Sequence, residues 1–468
     1  VQVKDNLKNV LSLLTMEFFS RLLGFLSVTY LARVMGTGSF GYINIAQAVL
    51  TYLIIAGAGG MNLYGTRKII AASEPAYQTT SDVFLTKLLL TGICYIIFVP
   101  VAYAVTSPEL FYIILAYSLF AFPYLFLPEW FFQAHMKMDL ISIGRILGMA
   151  SYFILLLIFV SASSDAVFTG IAYTVGGIIN TFFLLYIYIR QGNKLSFSFK
   201  EFRFIQTLKQ TFSLGISSVI SQVVAQFPVI FLGFISTASE AGLYSAAYKI
   251  ILLILVLDRV FSALFFPKIT AVFNCSREEF ELMLNRIFRI VSIIGLSVLM
   301  LVIISSSTLV HVLFGNEFIE SGIVLNLMAG VFFFSLLSSV FTFTLIGMNK
   351  ENIYTASLIT GIAVFLISVY PLTKYYGAAG AAAAYALFQA VSFIYMYFRL
   401  NKKIPVYIFR PLVLPAFISL IIIYILTVYV NYNLYLQLLL VLAGGIPAVS
   451  YSGGLNMKEL KYIKRAFI

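Results

Sequence analysis

The stretch VFLTKLLLTGICYIIFVPVAYAVTSPELFYIILAYSLFAFPYLFLPE, residues 83–129, decides the architecture. It holds two apolar runs of about 20 residues each, the length a helix needs to cross a bilayer. Only Ser107 and Pro108 part them, and the only charges are Lys87, Glu109 and Glu129. Hydrophobicity is continuous along each run rather than alternating, so the spanning element is a helix and not a barrel strand. The same pattern extends both ways from this pair. Spans read at about 7–35, 39–63, 83–106, 109–129, 139–162, 166–190, 207–236, 240–267, 286–314, 320–347, 352–374, 377–400, 408–430 and 434–452. The chain is therefore expected to be an all-α integral membrane protein of about fourteen transmembrane helices, with no room between them for a soluble domain. Its composition, 61% hydrophobic and 10% charged, excludes a soluble chain, which must cover its surface with charge.

The net charge of +12 would suggest nucleic acid in a soluble protein, but here the cations mark orientation. With the N-terminus inside and the turns alternating, 23 of the 30 Lys and Arg fall in inside segments or at the inner ends of spans and one, Lys374, outside; the remaining six lie deeper within spans. That asymmetry places both termini in the cytoplasm. The first apolar segment carries Glu17, Arg21 and Arg33 and lacks a short apolar core followed by a small-residue cleavage site, so no cleavable signal peptide is expected. Cys94 and Cys275 are far apart and imply no disulfide framework.

The sequence also repeats. MGTGSFGYINIA (35–46) follows the first span and ISTASEAGLYSAA (235–247) the seventh, with Gly41 and Gly242 in corresponding places. FTGIAYTVGGIINTFFLLYIYIR (168–190) resembles AAGAAAAYALFQAVSFIYMYFR (378–399). Both pairs are about 200 residues, or six spans, apart. Six is even, so the copies run the same way through the membrane, as in transporters built from parallel repeats. The expected organisation is an N-terminal six-helix lobe (1–192), a cytoplasmic interfacial linker (193–206), a second six-helix lobe (207–404), and two extra helices with a basic tail (405–468). The segment RQGNKLSFSFKEFRFIQ (190–206) mixes cations with Phe, a composition suited to the headgroup level of an anionic leaflet.

A protein without an aqueous domain works inside the bilayer, so charges within the spans are the candidate site. Six cations (Arg21, Arg33, Lys87, Arg145, Lys249 and Arg259) outnumber two clear span-interior acids, Glu17 and Asp258. A cation surplus at that depth calls for water or an anionic partner, hence a hydrated, positively lined cavity for anionic cargo. Arg21 lies about 14 residues into its span, close to mid-membrane at 1.5 Å per residue. Glu17, one turn before it, offers an ion pair as the alternative role. Lys249 is also deep. Arg33, Lys87 and Arg145 sit nearer span ends, where snorkelling to the surface competes with a cavity role. Asp258 beside Arg259 has the same two readings, ion pairing or function. Glu17 and Asp258 are the candidate coupling carboxylates for a proton or sodium ion. Pro228, inside the seventh span, is a fixed kink or a hinge. His135 and His311 are far apart, with no metal-ligand cluster around them, so no metal site is expected. No GxxxxGK[ST] phosphate loop and no nucleophile–base set is present, and neither a resident cofactor nor a nucleic-acid partner is expected. The absence of any sizeable outside loop argues against a membrane polysaccharide polymerase or glycosyltransferase.

SRLLGFLSVTYLARVMGTGSFGYINIAQAV (20–49) resembles the opening of the multidrug/oligosaccharidyl-lipid/polysaccharide exporter superfamily. LPEWFFQAHMKM (127–138) is similar to a segment of its polysaccharide repeat-unit (Wzx-type) flippases. The resemblance spans the chain. It implies two lobes forming a V around a central cationic cavity in the bacterial inner membrane. It further implies export of undecaprenyl-pyrophosphate-linked oligosaccharide, of O-antigen or capsule type, to the outer leaflet by alternating access. A polymerase and glycosyltransferases would be partners, alongside the membrane lipids. Arg21 falls where related lipid II flippases carry a cavity arginine; their next one would fall at Ser27, a departure from the pattern. The alternative within the superfamily is a cation-coupled multidrug exporter, whose cargo would favour acid-lined walls.

Overall fold

The computed structural model describes residues 2–71, 76–193, 204–258, 261, 277–402, 404–407, 409–429 and 441–452, with side chains of the first helix from Phe19 onward. The regular structure of these residues is helical. The helices are α1 (Gln2–Ala58), α2 (Met61–Ala71), α3 (Ala76–Val105), α4 (Pro108–Ser118), α5 (Ala121–Leu125), α6 (Glu129–Ala134), α7 (Met138–Phe159), α8 (Ala166–Arg190), α9 (Phe204–Ile235), α10 (Ala238–Ile254), α11 (Arg277–Phe314), α12 (Ser321–Gly347), α13 (Glu351–Asn401), α14 (Leu414–Tyr429) and α15 (Ile446–Ser452). Among the described residues, nine helical segments are long and apolar enough to cross a membrane. Two of these segments each carry a pair of the expected spans. α1 breaks at Gly36 (φ 67°, ψ 177°) and α13 at Gly377 (φ 52°, ψ −130°). Both φ values lie where a Cβ is disfavoured, so glycine lets one span pass into the next with no loop between.

The fourth span differs from the continuous helix expected over 109–129. It is broken into α4 and α5, with α6 beyond them. The cause is local. Pro123 has no N–H to give the Leu119 carbonyl, and that carbonyl instead accepts from Phe122 at 3.1 Å, one residue tighter than an α-helical bond. Pro128 then separates α5 from α6 and turns the chain toward the core. There Trp130, Phe131 and Phe132, each no more than 3% exposed, pack with Met61, Tyr64, Phe84, Leu184 and Tyr188.

The chain divides into two compact units, Val1–Gly242 and Leu243–Ile468. α9 packs on α1, α2 and α3 and so falls in the first unit. Of the expected linker at 193–206, residues 194–203 lie outside the described residues. Lipid is as apolar as leucine, so helices in a membrane gain little from hydrophobicity alone and associate where small residues allow close approach. In the first unit α7 and α8 meet this way: a Cβ on Gly148 or on Gly176 would strike the other's carbonyl.

A second close approach joins the repeated segments, with all the residues involved lying in the first unit. A Cβ on Gly41 would run into the Ala238 carbonyl, and one on Gly242 into the Thr37 carbonyl. Thr37 Oγ1 lies 2.7 Å from Ser239 Oγ between them. In the second unit α11, α12 and α13 pack together through stacked rings, with Phe341 5.3 Å from Phe288 and 5.4 Å from Phe393, and α14 lies against α11.

Candidate functional site

The breaks in the fourth span open a cavity of about 330 Å³ within the first unit. α1 contributes Ser20, the α4–α6 segment Phe120, Tyr124, Leu127 and Glu129, α7 Arg145, Met149 and Tyr152, and α8 Tyr173 and Asn180. The touching glycines Gly148 and Gly176 line it as well.

At its polar end the Arg145 guanidinium grips Glu129 with two bonds, Nε to Oε1 at 2.9 Å and Nη2 to Oε2 at 2.8 Å. This is the forked geometry that fixes both partners. The Arg145 side chain stays 43% exposed and that of Glu129 23%. A second cation, Lys87, feels the same carboxylate. It is 1% exposed, and its Nζ has no hydrogen-bond partner. Lys87 Nζ sits 5.2 Å from the centre of the Tyr124 ring, a cation–π arrangement. Tyr124 in turn accepts a hydrogen bond from Asn62 Nδ2 at 3.0 Å. Two basic side chains thus share the field of one carboxylate. The other walls are aromatic: the Tyr173 ring lies 4.7 Å from Phe120, 5.3 Å from Tyr152 and 5.6 Å from Tyr117. The amide oxygen of Asn180 is shielded from solvent and has no hydrogen-bond partner.

A buried amine without an acceptor costs stability, and such a group is a mark of function when it lies within a membrane span. Lys87→Met keeps the length of the side chain and removes the charge. It is expected to raise stability, because an unpaired buried polar group is removed, while slowing transport, measured as the thermal midpoint and the transport rate of the same preparation. Unchanged stability would mean that Lys87 is compensated by a group other than Tyr124 and Glu129.

The structure brings Lys87 and Arg145 to one carboxylate. Arg21 is half-buried on α1, directly after the cavity residue Ser20, and Arg33 is exposed further along α1. Glu17 is in α1, but its side chain lies outside the described residues, and so does the proposed pair with Arg21. Lys249 on α10 and Asp258 after it are both partly buried in the second unit, while Arg259 lies outside the described residues. Pro228 is buried within an unbroken α9. Among the described residues no group of three His, Cys, Asp or Glu is placed to hold a metal. Glu129 was missed because it closes a span in sequence; the signal was a carboxylate directly before WFFQ, held at the membrane edge by Pro128. Tyr152, Tyr173 and Asn180 carried no signal, since each alone reads as ordinary span content.

Residues 6–273 match the family model described as "Polysaccharide biosynthesis protein". A protein of Escherichia coli (strain K12) named "Putative O-antigen transporter" is 25% identical over 404 residues, which cover 84% of this chain and 97% of that one. Among solved structures, "Lipid II flippase MurJ, inward closed conformation" superposes with a TM-score of 0.70 at 15% identity, covering 94% of this chain and 97% of that one. A multidrug resistance MATE family transporter of the MOP superfamily, in an inward-facing conformation, gives a TM-score of 0.69 at 15% identity, covering 82% and 94%. At these identities the two structures establish a shared fold.

Proposed function

Because this chain belongs to the polysaccharide biosynthesis protein family, we propose that it is a flippase, not an enzyme. In this reading it carries undecaprenyl-pyrophosphate-linked oligosaccharide repeat units from the cytoplasmic to the outer leaflet of the bacterial inner membrane, by alternating access. The physical task is to take a pyrophosphate and a sugar chain through hydrocarbon while the polyprenyl tail stays in lipid. The observation that supports the reading is the polar end of the cavity, where the half-exposed Arg145 guanidinium is paired with Glu129 and a second basic side chain, Lys87, is buried within reach of the same carboxylate. An anionic cargo is the natural complement of these basic side chains. Arg21, Lys249, Arg259 and Arg33 are the further cations assigned to the cargo's path. Glu17 and Asp258 are the carboxylates assigned to a coupling proton or sodium ion. A polymerase and glycosyltransferases acting on the same cargo are the proposed partners.

The test is leaflet translocation in proteoliposomes loaded with lipid-linked oligosaccharide. Protected cargo should appear with protein and not without it, and Arg145→Ala should lower the rate about tenfold, the worth of a charge-assisted hydrogen bond. A specific observation keeps the drug exporter as a second reading: the fold matches the MATE transporter nearly as well as the flippase. Uptake of a lipophilic cation such as ethidium, with no movement of lipid-linked sugar, would decide for it.

Orientation has its own test. Cysteines at Ser107 and Ser163 should label from outside the cell, and cysteines at Gln191 and Lys402 only after permeabilisation. The reverse pattern would invert the direction of transport proposed here.

A further inference from the structure

Glu129 sits where a cargo anion would bind Arg145. It takes the edge of the guanidinium that carries Nε and Nη2, at 2.9 and 2.8 Å. That fork grips carboxylate and phosphate in the same bidentate way. A phosphate brought to it meets a carboxylate already in place, and two like charges at contact disfavour each other. The pair is open to the cavity rather than sealed in its wall, since Arg145 is 43% and Glu129 23% exposed and both line it. Lys87 is different. It is 1% exposed, within reach of the same carboxylate, and its Nζ has no acceptor. An amine donates hydrogen bonds whether or not it carries the extra proton, and a buried donor without an acceptor calls for an explanation.

We propose that Glu129 is a movable counter-ion: it occupies Arg145 in the unloaded protein, the pyrophosphate of the cargo displaces it, and Lys87 receives the displaced carboxylate. This rests on the flippase reading above and adds to it how the cargo is gripped and let go. Lys87 does not touch the cargo in this exchange; it positions Glu129. Arg145 stays paired in the loaded and the unloaded protein. The returning carboxylate competes for the guanidinium and so speeds release, which a carrier needs as much as binding.

The chain supplies its own reporter. Trp130 is its single tryptophan, follows Glu129 directly, and packs on Phe84, one turn before Lys87. Purified protein in nanodiscs is titrated with farnesyl pyrophosphate while Trp130 emission is read, with farnesol as the control for the hydrocarbon chain. Glu129→Gln is expected to bind the pyrophosphate about tenfold more tightly than the wild type, because no carboxylate has to be displaced. The same variant should translocate lipid-linked oligosaccharide more slowly. Lys87→Met should weaken binding about tenfold in the native background and leave it unchanged in the Glu129→Gln background. That non-additivity is expected if Lys87 acts through the carboxylate, and a general loss of folding does not give it. If Glu129→Gln alone does not fold, the double variant measured against Lys87→Met makes the same comparison. The exchange is overturned if the wild type gives no saturable change beyond that with farnesol, or if loss of the carboxylate does not tighten binding. It is also overturned if the Lys87→Met loss persists without the carboxylate, which would put Lys87 on the phosphate itself. In each case the flippase reading stands as long as the wild type moves lipid-linked sugar. If the binding cycle comes out as described and the wild type moves none, the flippase reading falls and the exchange stands as the working of an anion site.

Discussion

Glu129→Gln is expected to lower stability by about 2–3 kcal/mol and to reduce transport more than any other single change at the cavity. The carboxylate holds Arg145 through two bonds and is the acid whose field reaches the buried Lys87. Removing one partner of a fully buried pair costs about 3–5 kcal/mol, because a charge is left without compensation. Arg145 is 43% exposed and can recover solvation, which argues for a figure below that range. Lys87 cannot, at 1% exposure. The double variant Lys87→Met/Glu129→Gln should therefore recover most of the lost stability. Recovery of stability without recovery of transport would separate the two roles of the carboxylate. Thermal midpoints of the four proteins in one detergent check this, and a Glu129→Gln protein as stable as the wild type would sink the argument.

The second large effect is expected at Gly41 and Gly242. A side chain at either position meets backbone, the Ala238 or the Thr37 carbonyl, and backbone cannot rotate out of the way. Gly41→Val should cost about 3 kcal/mol, the upper end for overpacking. A direct readout is available next to it. Cysteines replacing Thr37 and Ser239, whose oxygens are 2.7 Å apart, should cross-link readily under mild oxidation, since bridged Cβ atoms lie about 3.5–4.5 Å apart. Adding Gly41→Val should slow that cross-link about tenfold or more. Equal rates with and without valine would mean that the two segments do not meet as described.

The spans were legible because their hydropathy is continuous, and a run such as 320–347 could hardly be read otherwise; it is α12 almost to the residue. Gly41 and Gly242 stood in similar stretches of sequence, although nothing in the sequence said that they touch. The break in the fourth span was hidden by its own hydrophobicity: Pro123 and Pro128 were visible, but an apolar run masks a helix interruption. Lys87 shows the general limit. Its depth along the span could be counted from sequence, and that count allowed either snorkelling or burial. Which it is depends on the face of α3 it occupies, and that face is set by Tyr124 and Trp130 some forty residues away. Tyr173 and Asn180 join a site only through the close packing of α7 on α8, a relation between helices rather than a property of either.

The contact at Gly41 and Gly242 also bears on ancestry. Numbered by the repeat, Gly41 answers to Gly242 and Thr37 to Ala238, so the first repeat does to the second what the second does to the first. Two identical segments that meet at one point make such reciprocal contacts, residue i on j and j on i. An ancestor half as long, pairing with a copy of itself, would have needed only one glycine to make both contacts at once. Fusion of two such copies would free the two positions to diverge, but each would have to stay small to leave room for the other's carbonyl neighbour, and both are glycine here.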